Sequence, residues 1–176
     1  ALLFLSPSLR TLSSFQAAMI RLGGGSFVIS PDMSIHGLET RSGIVMDGVA
    51  AEHLREAIPV ISSYGDALGI RAFANRVSLA DDLADKEFMA MRELASVPLI
   101  NMESAIQHPC QSLADWKTMD ELGIPKQGGK FVLSWSWHPK ALPTAVPASA
   151  AIAAAHLGME VTIVRPDGYD LDPDDY

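Results

Sequence analysis

The chain has 176 residues, 48% of them apolar, and its 21 acidic side chains outnumber 13 basic ones to give a net charge of −8. That balance argues against a nucleic-acid partner or an anionic membrane surface, and a single cysteine leaves no internal disulfide and fits a reducing cytoplasm. No apolar run reaches about 18 residues, so no transmembrane helix is expected, and residues 1–5 lack the basic start and cleavage site of a signal peptide.

An apolar run at residues 2–5 reads as a strand and leads into Ser6-Pro7-Ser8-Leu9-Arg10-Thr11. That segment opens an amphipathic helix ending at Gly23-Gly24-Gly25. A strand at 26–30 precedes a loop from 31 to 48. Residues 50–64 carry Leu54, Ala57, Ile58 and Ile61 at helical spacing. Residues 66–73 are strand-like, 82–95 helical, and 97–102 a short buried strand. A helix at 111–122 would place Leu113, Trp116, Met119 and Leu122 on one face before stopping at Gly123. A strand at 130–137, an alanine-rich helix at 144–157 ended by Gly158, and a strand at 159–164 complete the series. The alternation predicts an α/β fold, a mainly parallel sheet with helices on both faces. The stretch from Pro125 to Gly129 is the expected crossover between a domain at 1–124 and the start of a second at 125–176. The opening inside a strand and the aspartate-rich stretch 170–175 read as cut ends, so the chain is expected to be a fragment of a longer protein.

Parallel α/β sheets present ligands at the carboxyl ends of their strands, and the polar clusters of this chain fall there. At residues 6–11 a helix N-terminus offers orphan N–H groups and the positive end of a dipole, a ready anion site. Arg10 adds a planar fork, and Ser8 and Thr11 add hydroxyl donors; a serine cap beside a solvated arginine is the simpler reading. Arg71 leaves a strand in Gly69-Ile70-Arg71-Ala72-Phe73, as a ligand contact or an ordinary salt-bridge partner. His108-Pro109-Cys110-Gln111 forms a proline-fixed turn entering a helix. Trp135-Ser136-Trp137-His138-Pro139-Lys140-Ala141-Leu142-Pro143 follows a later strand. Cys110 lacks a sequence-evident activating arrangement, and His53, His108, His138 and His156 show no metal-ligand spacing.

Ser8-Leu9-Arg10-Thr11, followed by Ser14-Phe15 and the glycines at 23–25, resembles the carbamoyl-phosphate signature of the transcarbamylases. The resemblance implies two α/β domains, the first binding carbamoyl phosphate and the second an amino acceptor. It places Ser8, Leu9, Arg10 and Thr11 on the phosphate, with Arg71 also contacting carbamoyl phosphate. His108 and Gln111, in the family's His-Pro-x-Gln motif, would hydrogen-bond the carbamoyl group. The chain departs where the family has a second arginine and this sequence has Leu12, which fits an apolar face with Leu9, Phe15 and Met19.

The stretch around His138, with residues 39–48 and Asn101-Met102-Glu103-Ser104, is similar to the branch that carbamoylates N-acylated ornithines. That similarity implies Glu103 and His138 at the acylornithine site, together with Ala51 and Pro143. N-acetylornithine enzymes have a glutamate two residues before the histidine matching His53; here the position is Ala51. A glutamate facing a succinyl carboxylate in a partly desolvated pocket would repel it, and alanine removes charge and bulk. N-Succinylornithine is therefore the expected acceptor and N-acetylornithine the alternative, with Ala51 as a plain helix residue the simpler reading. The branch usually has a tryptophan where His36 stands, reaching across a subunit boundary to carbamoyl phosphate; His36 would replace it as a donor or be an exposed loop residue.

The implied reaction is direct attack of a neutral δ-amino group on the carbamoyl carbon, without metal or redox cofactor. Arg71, His108 and Thr11 would polarise the carbonyl, and Ser8 and Arg10 would stabilise the departing phosphate. The resemblance also implies a homotrimer with shared active sites, working in arginine biosynthesis in a bacterial cytoplasm. An ordinary ornithine or aspartate transcarbamylase and a non-catalytic phosphate-binding relative remain as other classes.

Overall fold

The computed structural model describes residues 1–31, 37–139 and 142–172. In chain order its elements are β1 (Leu2–Phe4), α1 (Leu9–Arg21), β2 (Val28–Ile29), β3 (Gly37–Glu39), β4 (Ala50–His53), α2 (Leu54–Ser62) and β5 (Leu68–Arg71). There follow α3 (Leu79–Leu83), α4 (Lys86–Leu94), β6 (Leu99–Glu103), α5 (Pro109–Glu121), β7 (Lys130–Ser134), α6 (Ala145–His156) and β8 (Glu160–Val164). They form two compact units, residues 1–73 with 85–104, and residues 74–84 with those from 105 onward.

The first unit is built on a four-stranded sheet in the order β2-β1-β5-β6, parallel throughout. Side chains alternate across a strand, and β1 shows what that does here. Leu2 and Phe4 pack with Met102, and against them lie Leu12 and Phe15 of α1. Leu3 points the other way into a cluster with Leu68, Ile70, Leu54 and Ile58 of α2, and Phe88 and Met91 of α4. Helices thus cover both faces, as an α/β fold requires. From β1 the chain moves to β2 on one side and later to β5 on the other. The strand order therefore reverses at the carboxyl ends of β1 and β5.

In the second unit β7 and β8 pair in parallel, joined through α6. Ala145, Ala148, Ala151 and Ala154 of α6 are buried, small side chains that bring the helix close to its neighbours. Trp116 of α5 stacks on Phe131 at 6.4 Å and packs with Ala154 and Met159.

Five expectations change. The predicted loop at 31–48 contains β3, and the predicted helix at 50–64 begins only at Leu54, after β4 pairs with β3. His53 caps α2, its Nδ1 accepting from the Arg55 N–H at 3.1 Å, while Nε2 faces the Arg41 carbonyl at 3.0 Å. The ring therefore carries its proton on Nε2 and ties loop to helix. The helix expected at 82–95 is two helices, broken at Asp85, whose φ of 45° is left-handed, a conformation aspartate tolerates better than most. The strand expected at 130–137 ends at Ser134. On α5, Trp116 is buried and Met119 packs beside it, but Leu113 and Leu122 are exposed. At 3.6 residues per turn Leu113 stands roughly 60° from Trp116 on the side away from Ser112 and Met119, and Leu122 roughly 120° away beyond Met119, so both fall outside the buried stripe. No described helix is long and apolar enough to cross a membrane.

Two consequences can be measured. A Cβ on Gly129 would run into the Pro125 carbonyl oxygen and lie 2.9 Å from the Met159 methyl. Gly129→Ala is expected to cost about 1–3 kcal/mol in denaturant unfolding, since backbone cannot yield as a flexible side chain does. Just past β3, the Arg41 guanidinium hydrogen-bonds the Glu39 carboxylate at 2.9 and 3.0 Å and the Arg41 N–H adds a third bond, lowering the Glu39 pKa to about 2. A lowered carboxyl pKa stabilises the fold above its ordinary value of 4.5, and that contribution fades as pH falls toward 2. A carbon-detected NMR titration should find the Glu39 midpoint near 2, rising toward the ordinary value in Arg41→Gln.

Candidate functional site

Ser8 caps α1 in extended backbone, its hydroxyl accepting from the Thr11 N–H at 3.3 Å and donating to the Thr11 hydroxyl at 3.0 Å. Both side chains are half-buried, whereas Leu9 and Arg10 are exposed. Leu9 therefore brings only its main chain to the helix N-terminus, and Arg10 has its guanidinium at the surface. No acidic residue occupies the first turn to neutralise the dipole.

Beside this turn lies the end of β5. Phe4 of β1 is in register with Arg71, and the Leu5 and Ser6 N–H groups both donate to the Arg71 carbonyl, at 2.9 and 3.3 Å. The Ser6 hydroxyl in turn accepts from the Phe73 N–H at 3.1 Å. Arg71 is only 6% exposed, with its guanidinium carbon 4.5 Å from the Phe73 ring centroid. Its Nη1 donates to Glu103 Oε2 of β6, itself 3% exposed. A register shift in the β5–β6 ladder skips Met102 and places Glu103 opposite Arg71. Burial pushes the Glu103 carboxyl above the usual carboxylate range, with the Arg71 charge pulling it down.

The structure thus brings Ser8, Thr11, Arg71 and Glu103 to adjoining strand ends, where α/β sheets hold ligands. Sequence reading missed Ser6 and Phe73. A serine directly after a strand and an aromatic two residues past Arg71 were the available signals, and both are too common to stand out.

In the second unit, His108 precedes Pro109 at the start of α5, and its N–H donates to the Ser149 hydroxyl of α6 at 2.6 Å. Gln111 is exposed, its amide donating to Asp115 at 2.9 Å. Cys110 is half-buried and burial raises its pKa, which keeps it a thiol. His138 is exposed after β7, and Pro143 helps line a cavity of about 140 Å³ with Leu142, Thr144 and Arg76. Ala51 is exposed in β4, not a helix residue as its simpler reading had it. Leu12 is half-buried against Leu2 and Phe4, so the family's second arginine is replaced here by core. Leu9 and Met19 do not share that burial; both are exposed. His36 lies outside the described residues, as does Lys140 of the His138 stretch.

Residues 1–121 match the family described as aspartate/ornithine carbamoyltransferase, carbamoyl-P binding domain. The chain is 41% identical over 168 residues to an N-acetylornithine carbamoyltransferase of Xanthomonas campestris, covering 94% of this chain and 49% of that protein. It is 38% identical over 172 residues to an N-succinylornithine carbamoyltransferase of Bacteroides fragilis, covering 98% and 54%. It therefore spans about half the length of the curated relatives it matches. Among solved structures it is similar to a glutamate-to-alanine variant of N-acetyl-L-ornithine transcarbamylase complexed with carbamyl phosphate and N-succinyl-L-norvaline. That match has a TM-score of 0.90 and 40% identity, covering 99% of this chain and 53% of that one. An acetylornithine transcarbamylase complexed with acetylcitrulline matches with the same TM-score at 39% identity. The chain belongs to the aspartate/ornithine carbamoyltransferase family, and what it contains is chiefly that family's carbamoyl-phosphate-binding part.

Proposed function

We propose that the full-length protein transfers the carbamoyl group of carbamoyl phosphate to the δ-amino group of N-succinyl-L-ornithine, giving N-succinylcitrulline and phosphate in arginine biosynthesis. The observation that carries the carbamoyl-phosphate half is the meeting of the α1 N-terminus with buried Arg71 where the strand order reverses. Ser8, the Leu9 main chain, Arg10 and Thr11 hold the phosphate in this reading. Arg71, His108 and Gln111 hold the carbamoyl group, with His36 as a further donor. The domain holding carbamoyl phosphate runs over residues 1–124, and residues 125–176 begin the acceptor domain, with Glu103, His138, Ala51 and Pro143 serving the acceptor.

The chemistry needs no covalent intermediate. The amine attacks the carbamoyl carbon, and the carbonyl oxygen gathers negative charge beside Arg71, Thr11 and His108. The C–O bond to phosphate breaks, and phosphate leaves with the proton the amine nitrogen gives up and with its charge met by Ser8, Arg10 and the helix dipole. Holding both substrates in attack geometry supplies a term that can reach about 7–11 kcal/mol. The enzyme is a cytoplasmic homotrimer in this reading, and Leu9, Ile20 and Leu22 of α1 and its end give it exposed apolar surface for assembly.

The choice of succinyl rests on Ala51. A similar protein binds N-succinyl-L-norvaline as a variant in which glutamate is replaced by alanine; the proposal equates that glutamate with the position of Ala51. N-Acetylornithine is the second reading, favoured by the slightly higher identity to the Xanthomonas relative.

The full-length protein, given carbamoyl phosphate with ornithine, N-acetylornithine or N-succinylornithine, should turn over the succinyl acceptor fastest. Preference for acetylornithine would remove the Ala51 argument, and no turnover with any of the three would remove the enzyme reading. Ala51→Glu should lower kcat/KM for succinylornithine more than for acetylornithine. Leu12→Arg, which drives a charge toward Leu2 and Phe4, should cost about 1–3 kcal/mol of stability. Titration with carbamoyl phosphate should show no gain in affinity in that variant.

A further inference from the structure

We infer that Glu103 is a positioning residue for carbamoyl phosphate, acting through Arg71, in addition to the acceptor contact proposed for it. The inference rests on the carbamoyl-phosphate reading above and deepens it.

Three contacts define how Arg71 is held. Its Nη1 is bound to Glu103 Oε2, one face of the guanidinium lies over Phe73, and its carbonyl receives the N–H groups of Leu5 and Ser6. These fix one edge, the plane and the backbone of the residue. The Nε–H is left buried without a hydrogen-bond partner among the described residues. A buried donor of this kind is costly unless something completes it, and on a guanidinium the best partner is an anionic or strongly polarised oxygen. The fork is thus divided, with one edge taken by Glu103 and the Nε–H left for a ligand oxygen. Without Glu103 nothing in the first unit's described contacts would hold the fork to this rotation.

The β5–β6 ladder supports the same assignment. In unbroken register Met102 would stand opposite Arg71; the shift after Ile70 puts Glu103 there instead, and the Glu103 carbonyl accepts from the Ala72 N–H at 2.8 Å. Backbone and side chain of Glu103 therefore both act on the segment carrying Arg71.

The test separates aim from charge. Glu103→Asp keeps the charge but withdraws the carboxylate by one methylene; Glu103→Gln keeps the length and an accepting oxygen but loses the charge. Carbamoyl phosphate affinity is measured by calorimetry on the full-length protein without acceptor, with melting curves to check folding. Glu103→Asp is expected to raise Kd roughly tenfold, the worth of one charge-assisted hydrogen bond, and Glu103→Gln to raise it less. If both variants bind carbamoyl phosphate within about twofold of wild type while KM for the acceptor rises, Glu103 serves the acceptor alone and the inference is overturned. Wild type needs no variant to report. The Arg71 Nε–H resonance should move on adding carbamoyl phosphate, and a stationary resonance in protein that binds it also overturns the inference. Wild-type protein that binds no carbamoyl phosphate brings down the functional reading itself, and this inference with it.

Discussion

A guanidinium placed in the interior at the end of a parallel strand must have a counter-charge, and most of the first unit's polar architecture follows from that need. Burying a lone charge costs several kcal/mol even after relaxation, and removing one partner of a buried pair costs about 3–5 kcal/mol. Arg71 meets the requirement through Glu103 on the neighbouring strand. The pairing is possible only because the β5–β6 ladder slips by one residue, since in regular register the carboxylate would point to the opposite face. A local irregularity at a strand end is thus the condition for a charged site, which is where such irregularities concentrate. The pair is weak evidence for stability by itself; its value lies in fixing where a charge and a donor point.

Much of the fold was legible because its signals are strong and local. The apolar runs of β1, β5 and β6, the helical spacing of α1 and the alanine repeat of α6 each specify an element without help from the rest of the chain. What was not legible depends on partners distant in sequence. Residues 50–53 have no strand pattern of their own, and β4 exists because β3 lies beside it. The break at Asp85 follows from one backbone angle that composition does not announce. Leu113 and Leu122 looked like core because periodicity reports amphipathicity, not how wide a stripe the neighbours cover.

The site divides the same way. That Ser8 and Thr11 stand at a helix start and Arg71 at a strand end was readable, because a cap residue and an apolar run announce both. The contacts that orient them were not. Ser6 links β1 to β5 by a single serine-to-backbone bond across 67 residues of sequence, and no pattern in one strand can foretell it. The pairing of Glu103 with Arg71 hangs on a register slip, which cannot be seen without the partner strand. Sequence thus showed which polar groups fall at strand ends, and the fold showed which of them meet.

The two units carry donors of different character. The first unit offers a helix dipole, the surface fork of Arg10 and the buried charge of Arg71, all matched to an anion. The second offers the His108 ring and the uncharged Gln111 amide at the start of α5. Under the proposed reaction, the negative charge that develops on the carbonyl oxygen in the transition state calls for a cationic group that is already desolvated. That group is Arg71. Interactions that strengthen only as charge develops lower the barrier more than those felt equally by the substrate. With Glu103 holding Nη1 of the guanidinium, the buried Nε–H stays available to meet that oxygen.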